Sequence, residues 1–198
     1  MSLKKISLYS LGGLVLLVAA AAAWLLGPAM FPAKSLNVGI AVGAKAPLDL
    51  ALVDSKGQST SLAAQMGAQG MVVMMVRSAD WCPFCKAQLL QTEKIRGAIA
   101  GQGYGLVSVS YDQPEKLAAF AQAKGIGFAM LSDRGKLIDA LGLRDPQYGP
   151  DSFASGVPHP TVLVLAKDGT VKAKFVDSDY RSRQSNDKIL AMLNSVAD

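Results

Sequence analysis

Met71-Val-Val-Met-Met-Val-Arg-Ser-Ala-Asp-Trp-Cys-Pro-Phe-Cys85 says most about the architecture of this chain. Its first six residues are a continuous apolar run bounded by Gly70 and Arg77, which suits a strand buried on both faces of an α/β sheet. Beyond it, Cys85, Leu89, Thr92, Ile95 and Ile99 recur at helical spacing and Gly101 closes the pattern, so one helix is expected to follow the cysteines. The two cysteines are the only ones among 198 residues, too few for a disulfide scaffold. Spaced C-x-x-C at a helix start, they can close a disulfide within one turn. Unpaired N–H groups and the positive end of the helix dipole stabilise a thiolate on the first of them. Cys82 is therefore the expected nucleophile. Cys85, one turn inward, would resolve a mixed disulfide by attacking Cys82. Pro83 fits the first helical turn, where its missing N–H would have no partner. A zinc site needs further ligands, and with one histidine, His159, and no second C-x-x-C, no metal is expected.

On the N-terminal side, Leu48–Val53 reads as a strand and Asp54-Ser-Lys-Gly57 as its turn. On the C-terminal side, Gly105–Ser110 is the next strand. Asp112 is the expected cap of a helix that has Pro114 in its first turn and Gly125 just past its end. A short strand at Phe128–Leu131 and a short helix at Lys136–Leu141 follow, and residues 143–158 read as loop. Thr161–Leu165, the turn Lys167-Asp-Gly169 and Val171–Val176 form a hairpin. A last helix spans about Asn186–Val196. The order β-β-α-β-α-β-α-β-β-α defines an α/β domain with a mixed sheet and helices on both faces.

An apolar fraction of 51% and mean hydropathy of +0.27 exclude a disordered chain. Much of the excess sits in Ile6–Ala33, 28 residues without a charge. Residues 1–5 form a positively charged leader with Lys4 and Lys5, and residues 6–26 are long enough for a transmembrane anchor. Trp24 suits the interface and Pro28 stops the helix. A signal peptide cleaved after Ala21-Ala22-Ala23 is the alternative reading. Lys4 and Lys5 favour a cytoplasmic N-terminus, so the globular part would stand on the periplasmic side of a bacterial-type cytoplasmic membrane. Residues 27–45 read as a tether, and residues 46–198 as the globular domain. Net charge is +5 with no basic cluster longer than Lys4-Lys5, so no nucleic-acid partner is expected.

WCPFC between a buried strand and a helix resembles the active site of the thioredoxin superfamily. The lead-in Pro47–Leu62 looks like the opening of its redoxin branch, which includes the peroxiredoxins. Val157-Pro-His-Pro-Thr161, before a strand and hairpin, looks like the superfamily's cis-proline loop. The resemblance implies a thioredoxin-like fold over roughly residues 45–196, a cis bond before Pro160, and Pro160 packed beside the cysteines. It also implies that His159 presents its backbone to substrate and its ring to the site, where a protonated imidazole would favour the thiolate below about pH 6.5. Trp81, Pro83 and Phe84 would complete the substrate platform.

The expected activity is thiol–disulfide exchange with protein disulfides or dithiols and a redox partner, without a cofactor beyond the dithiol. Thiol peroxidase activity is the alternative, and two departures from the peroxiredoxin pattern weigh against it. Ala79 stands where a Thr or Ser is usual, and Pro160 where an Arg is usual. Arg77 reads as lying on the wrong side of the turn, and the arginines of Tyr180-Arg-Ser-Arg183 read as solvated loop. A copper-delivering protein of this fold is a second alternative, but its usual cysteine spacing is C-x-x-x-C. Met71, Met74 and Met75 fit the core better than a soft-metal site. Tyr148, Phe153 and Trp81 either line a groove for an extended substrate or pack over the loop's own core.

Overall fold

The computed structural model describes residues 13–23 and 34–196. The chain divides into two units, Met1–Ala33 and Lys34–Asp198. In the first, α1 covers residues 13–23, with exposed apolar side chains such as Leu16 and Leu17. No helix among the described residues is long and apolar enough to cross a membrane. The span expected over residues 6–26 runs past both ends of α1, and those flanks, like the leader 1–5, lie outside the described residues.

In the second unit the elements are β1 (Leu52–Asp54), β2 (Ser59–Thr60), β3 (Gly70–Met75), α2 (Pro83–Glu93), α3 (Arg96–Gly101), β4 (Tyr104–Ser110), α4 (Pro114–Lys124), β5 (Ala129–Ser132), α5 (Lys136–Ala140), β6 (Thr161–Ala166), β7 (Val171–Val176) and α6 (Asn186–Asn194). They form one mixed sheet ordered β2-β1-β5-β4-β3-β6-β7. β3 runs parallel to β4 and antiparallel to β6, in the middle of the sheet. All six of its residues are buried, which explains the unbroken apolar run. Because strand side chains alternate, β3 feeds two cores. Val72 and Met74 pack with Leu89 of α2, Leu117 of α4 and Ile189 of α6. Met71, Val73 and Met75 pack on the other face with Leu137 and Ile138 of α5. The three methionines are core residues, each at most 1% exposed.

Three elements differ from the sequence reading. The helix expected through Ile99 is divided at Lys94–Ile95, where each N–H bonds three residues back, to Gln91 O and Thr92 O. Glu93 fixes this corner by accepting from Arg96 Nε and from Gly127 N, both at 2.8 Å. The strand read over Leu48–Val53 is confined to Leu52–Asp54 and gains a partner, β2, too short to show alternation. Residues 34–46 run along β7, with Leu36 N bonded to Val176 O and Gly43 N to Val171 O. Leu36, Val38 and Ile40 pack on the core, so this part of the expected tether is structured.

Other signals map directly onto structure. Pro114 occupies the first turn of α4, and Gly125 ends it in the left-handed conformation, φ 65°, which glycine adopts without a Cβ penalty.

Candidate active site

Cys82 is the N-cap of α2, directly after the turn that leaves β3, and Pro83 is the first helical residue. Cys82 and Cys85 are joined in a disulfide with Cα atoms 5.3 Å apart. The Cys82 sulfur accepts a hydrogen bond from Cys85 N at 3.2 Å, so sulfur takes the capping role that oxygen usually plays. Both residues are buried, Cys82 at 1% and Cys85 at 0% exposure.

The turn before Cys82 is held by a buried polar set. Asp112 accepts from Ser78 Oγ at 2.8 Å, from Ala79 N at 2.7 Å and from Ser110 Oγ at 2.9 Å. Ser78 Oγ in turn accepts from Asp80 N at 2.9 Å and from Trp81 N at 3.1 Å. Asp112 does not cap α4 as expected; the N-cap is Gln113, without a side-chain bond. Buried donors across the β3–α2 turn claim its carboxylate, because leaving them unpaired is costly.

The sulfurs are met by a residue that the sequence reading left in a solvated loop. Arg183 Nη2 lies 3.2 Å from Cys85 Sγ and 3.8 Å from Cys82 Sγ. Its Nη1 donates to Tyr180 O and to Ser182 O, which fixes the guanidinium against the disulfide. Burial pulls its pKa down to about 10, with Arg77 adding repulsion and Asp177 opposing both, so it stays charged at neutral pH. Arg77 is 2% exposed and sits over the rings of Tyr148 (4.3 Å), Tyr180 (4.5 Å) and Trp81 (5.4 Å). Trp81 also makes an edge contact with Phe153 at 5.1 Å and donates Nε1–H to Tyr111 OH at 3.2 Å. Phe84 makes an edge contact with Tyr180 at 5.8 Å. Of the aromatic residues singled out from the sequence, Trp81 and Phe153 pack on each other and Tyr148 meets Trp81 only through Arg77, which lies over both rings, and Phe153 is 82% exposed.

The proline loop differs from the implied one. No cis peptide bond occurs among the described residues, so the bond before Pro160 is trans. Residues 157–160 are drawn out as an extended segment. Asp145 N bonds to Val157 O, His159 N to Leu143 O, and Asp177 N to Pro160 O. His159 O accepts from Thr161 Oγ1 at 2.9 Å. The His159 ring lies against Asp145, Nδ1 to Oδ2 at 3.7 Å. The charged group on the sulfurs is Arg183.

The site is thus a buried disulfide at a helix start, set on a mixed sheet of thioredoxin-like fold. Residues 42–174 match the AhpC/TSA family, and the chain belongs to that family. It is 36% identical over 130 residues to "Putative peroxiredoxin Rv2521" of Mycobacterium tuberculosis, covering 65% of this chain and 80% of that protein. It is 25% identical over 126 residues to "Thiol-disulfide oxidoreductase ResA" of Halalkalibacterium halodurans, covering 63% and 62%. In fold it is similar to reduced Prx3 of Vibrio vulnificus, with TM-score 0.67, 20% identity and coverage of 78% and 99%. Peroxidoxin BcpB of Mycobacterium tuberculosis gives TM-score 0.64, 20% identity and coverage of 82% and 98%. The protein is a redoxin-family oxidoreductase.

Proposed function

We propose that this protein is a membrane-tethered thiol–disulfide oxidoreductase acting on protein disulfides or dithiols outside the cytoplasmic membrane. The disulfide at the N-terminus of α2, with the Arg183 guanidinium against both sulfurs, carries the reading. In the reduced protein, Cys85 N–H, the helix dipole and Arg183 favour a Cys82 thiolate. That thiolate attacks a substrate disulfide, joins one substrate sulfur and expels the other as a thiolate. Cys85 then attacks Cys82 Sγ, releasing the second substrate thiolate and re-forming the Cys82–Cys85 bond. Two electrons pass from protein to substrate with no cofactor, and the relative potentials set the direction.

The leader Lys4-Lys5 and the uncharged run to Ala33 support the tether. A tethered protein stays in the membrane fraction through a high-salt wash and leaves it with detergent; release by salt alone would count against a tether.

Peroxidase activity is the second reading, favoured by Arg183. The strand-leading Arg is absent at Pro160, but the Arg183 guanidinium reaches both sulfurs. In that chemistry the Cys82 thiolate attacks one peroxide oxygen and releases water or an alcohol. Cys85 then displaces water from the sulfenic acid to close the disulfide. A side-by-side assay of the reduced protein on insulin disulfides and on hydrogen peroxide, with Cys82→Ser as control, separates the two. Disulfide reduction lost in Cys82→Ser, with slow peroxide turnover, is the expected result. Rapid peroxide consumption would put the second reading first.

A further inference from the structure

A polar pocket of about 330 Å³ opens next to Trp81, lined by Tyr111, Gln113, Arg134, Gly135, Arg144 and Gly156. Tyr111 joins the two, because its OH accepts from Trp81 Nε1 at 3.2 Å. Topology brings the lining together. β3, β4 and β5 run parallel, with Met75 opposite Val109 and Ser110 opposite Ser132, so the residues that follow them emerge at one end of the sheet. The turn before Cys82 follows β3, Tyr111 and Gln113 follow β4, and Arg134 follows β5. The carboxyl ends of parallel strands are where α/β sheets gather their ligand-binding loops.

The lining is rich in donors and poor in acceptors. Arg144 is clamped by Asp139, Nε to Oδ1 at 2.7 Å and Nη2 to Oδ2 at 2.8 Å, which leaves Nη1 without an acceptor among the described residues. Two glycines keep room for that guanidinium: a Cβ at Gly156 would stand 2.9 Å from Nη1, and one at Gly135 3.4 Å from Nη2. Arg134 is exposed, and its guanidinium forms no salt bridge among the described residues. Its φ of 50° is the one left-handed non-glycine backbone among them, a conformation that costs any residue with a Cβ and collects at binding sites. Tyr111 O–H and the Gln113 amide add neutral donors. The nearby carboxylates are engaged: Asp139 by Arg144, Asp133 by Gly135 N and Ile138 N, and Asp112 by the turn before Cys82. The charge on Arg134 is left unpaired.

Phe153 supplies the other half of the surface. It is 82% exposed and packs edge-on against Trp81 at 5.1 Å, three residues before Gly156 in the pocket wall. An exposed aromatic ring beside a cationic pocket suits a protein segment that pairs a carboxylate with an apolar side chain. We propose that Arg134, Arg144 and Phe153 form a docking surface for an acidic–apolar segment of a partner protein. The partner's carboxylate accepts from the Arg134 guanidinium, Arg144 Nη1 and Tyr111 O–H, and its apolar neighbour covers Phe153 and Trp81. Guanidinium forks on a carboxylate give the polar contact its direction, and the covered rings exclude water from it. The surface holds a partner beside the turn before Cys82 and takes no part itself in disulfide exchange.

The test is equilibrium binding to the oxidised, detergent-solubilised full chain, which involves no redox step and so stands or falls apart from the dithiol reading. Trp24→Phe leaves Trp81 as the only tryptophan, and its emission reports on Tyr111 and Phe153 together. The probes are the peptide acetyl-Leu-Glu-Leu-amide, its Gln counterpart and inorganic phosphate. The Glu peptide is expected to bind saturably and about tenfold more tightly than the Gln peptide, with the difference fading at high salt. Arg134→Gln is expected to abolish that preference, and Phe153→Ala to weaken binding of both peptides. Arg134→Gly, which relieves the left-handed backbone, is expected to lose the preference with no fall in thermal stability, which separates binding from folding. No saturable binding of the Glu peptide, equal binding of the two peptides, or a preference unchanged in Arg134→Gln would overturn the proposal. Phosphate bound as tightly as the Glu peptide and indifferent to Phe153→Ala would make the pocket a free-anion site and overturn it equally.

Discussion

Arg183 changes what Cys82 can do. A charge within 4 Å of a thiolate lowers the thiol pKa by about 1–3 units, less where water screens it. In the reduced protein, Arg183→Gln is expected to raise the Cys82 pKa by at least 1 unit, read from the pH dependence of alkylation rate, and Arg183→Lys to restore part of it. An unchanged profile would remove Arg183 from the chemistry. Asp177 offers a second test at the same scale. Burial pushes its pKa up to about 6, against the hydrogen bond from Gln184 and the charges of Arg183 and Lys188, while Asp179 adds to the rise. The folded state then holds a proton that the unfolded chain has lost, so this contribution to stability is full below about pH 4 and disappears as pH rises through about 6. It amounts to about 2–3 kcal/mol at most, and the difference in unfolding free energy between wild type and Asp177→Asn across that window measures it. The cysteines were legible because their meaning is local: two thiols one turn apart at a helix start. Arg183 is 101 residues from Cys82 and meets it only because the β7–α6 connection crosses back over α2. The one usable signal in sequence was an arginine just ahead of a helix cap, Ser185, whose Oγ accepts from Lys188 N.

The turn between β3 and α2 depends on Asp112, which stands just past the end of β4. Parallel pairing of β3 and β4 sets Met75 opposite Val109, so both strands deliver their following residues to the same sheet end. There Asp112 accepts from Ser78, Ala79 and Ser110. Asp112→Ala leaves three buried donors unpaired and is expected to cost about 3 kcal/mol in denaturant unfolding, and to slow disulfide exchange by loosening the approach to Cys82. A loss below about 1 kcal/mol would show that water replaces the carboxylate readily. In sequence, Asp112 beside Pro114 looked like a helix cap, because cap signals are local and competing donors from another strand are not visible. The continuous apolar runs of β3 and β6 were readable, since strands buried on both faces lose their alternation. The corner at Lys94–Ile95 was not readable, because apolar spacing continues through it and the bond that sets it comes from Gly127.

At the scale of the molecule, β3, an interior strand of a seven-stranded sheet, hands its chain to the turn before Cys82, and helices on one face pack around the cysteines. α2 brings the cysteines, and the segment before α6 brings Arg183. The AhpC/TSA relationship accounts for the sheet order, while Ala79 and Pro160 set this site apart from the peroxidase pattern that the sequence reading used. The proline loop was read as a cis turn because Val157-Pro-His-Pro-Thr161 matches locally. Pairing with Leu143 and Asp145 instead extends it, a constraint set by distant backbone. The central claim is that Cys82 attacks and Cys85 resolves. Mass spectrometry of the Cys85→Ser protein after exposure to a peptide disulfide tests it most directly. The account predicts one trapped peptide adduct on Cys82, reversible by dithiothreitol, and no adduct or disulfide reduction in Cys82→Ser. Continued turnover in Cys82→Ser, or an adduct on Cys85 with none on Cys82, would contradict it.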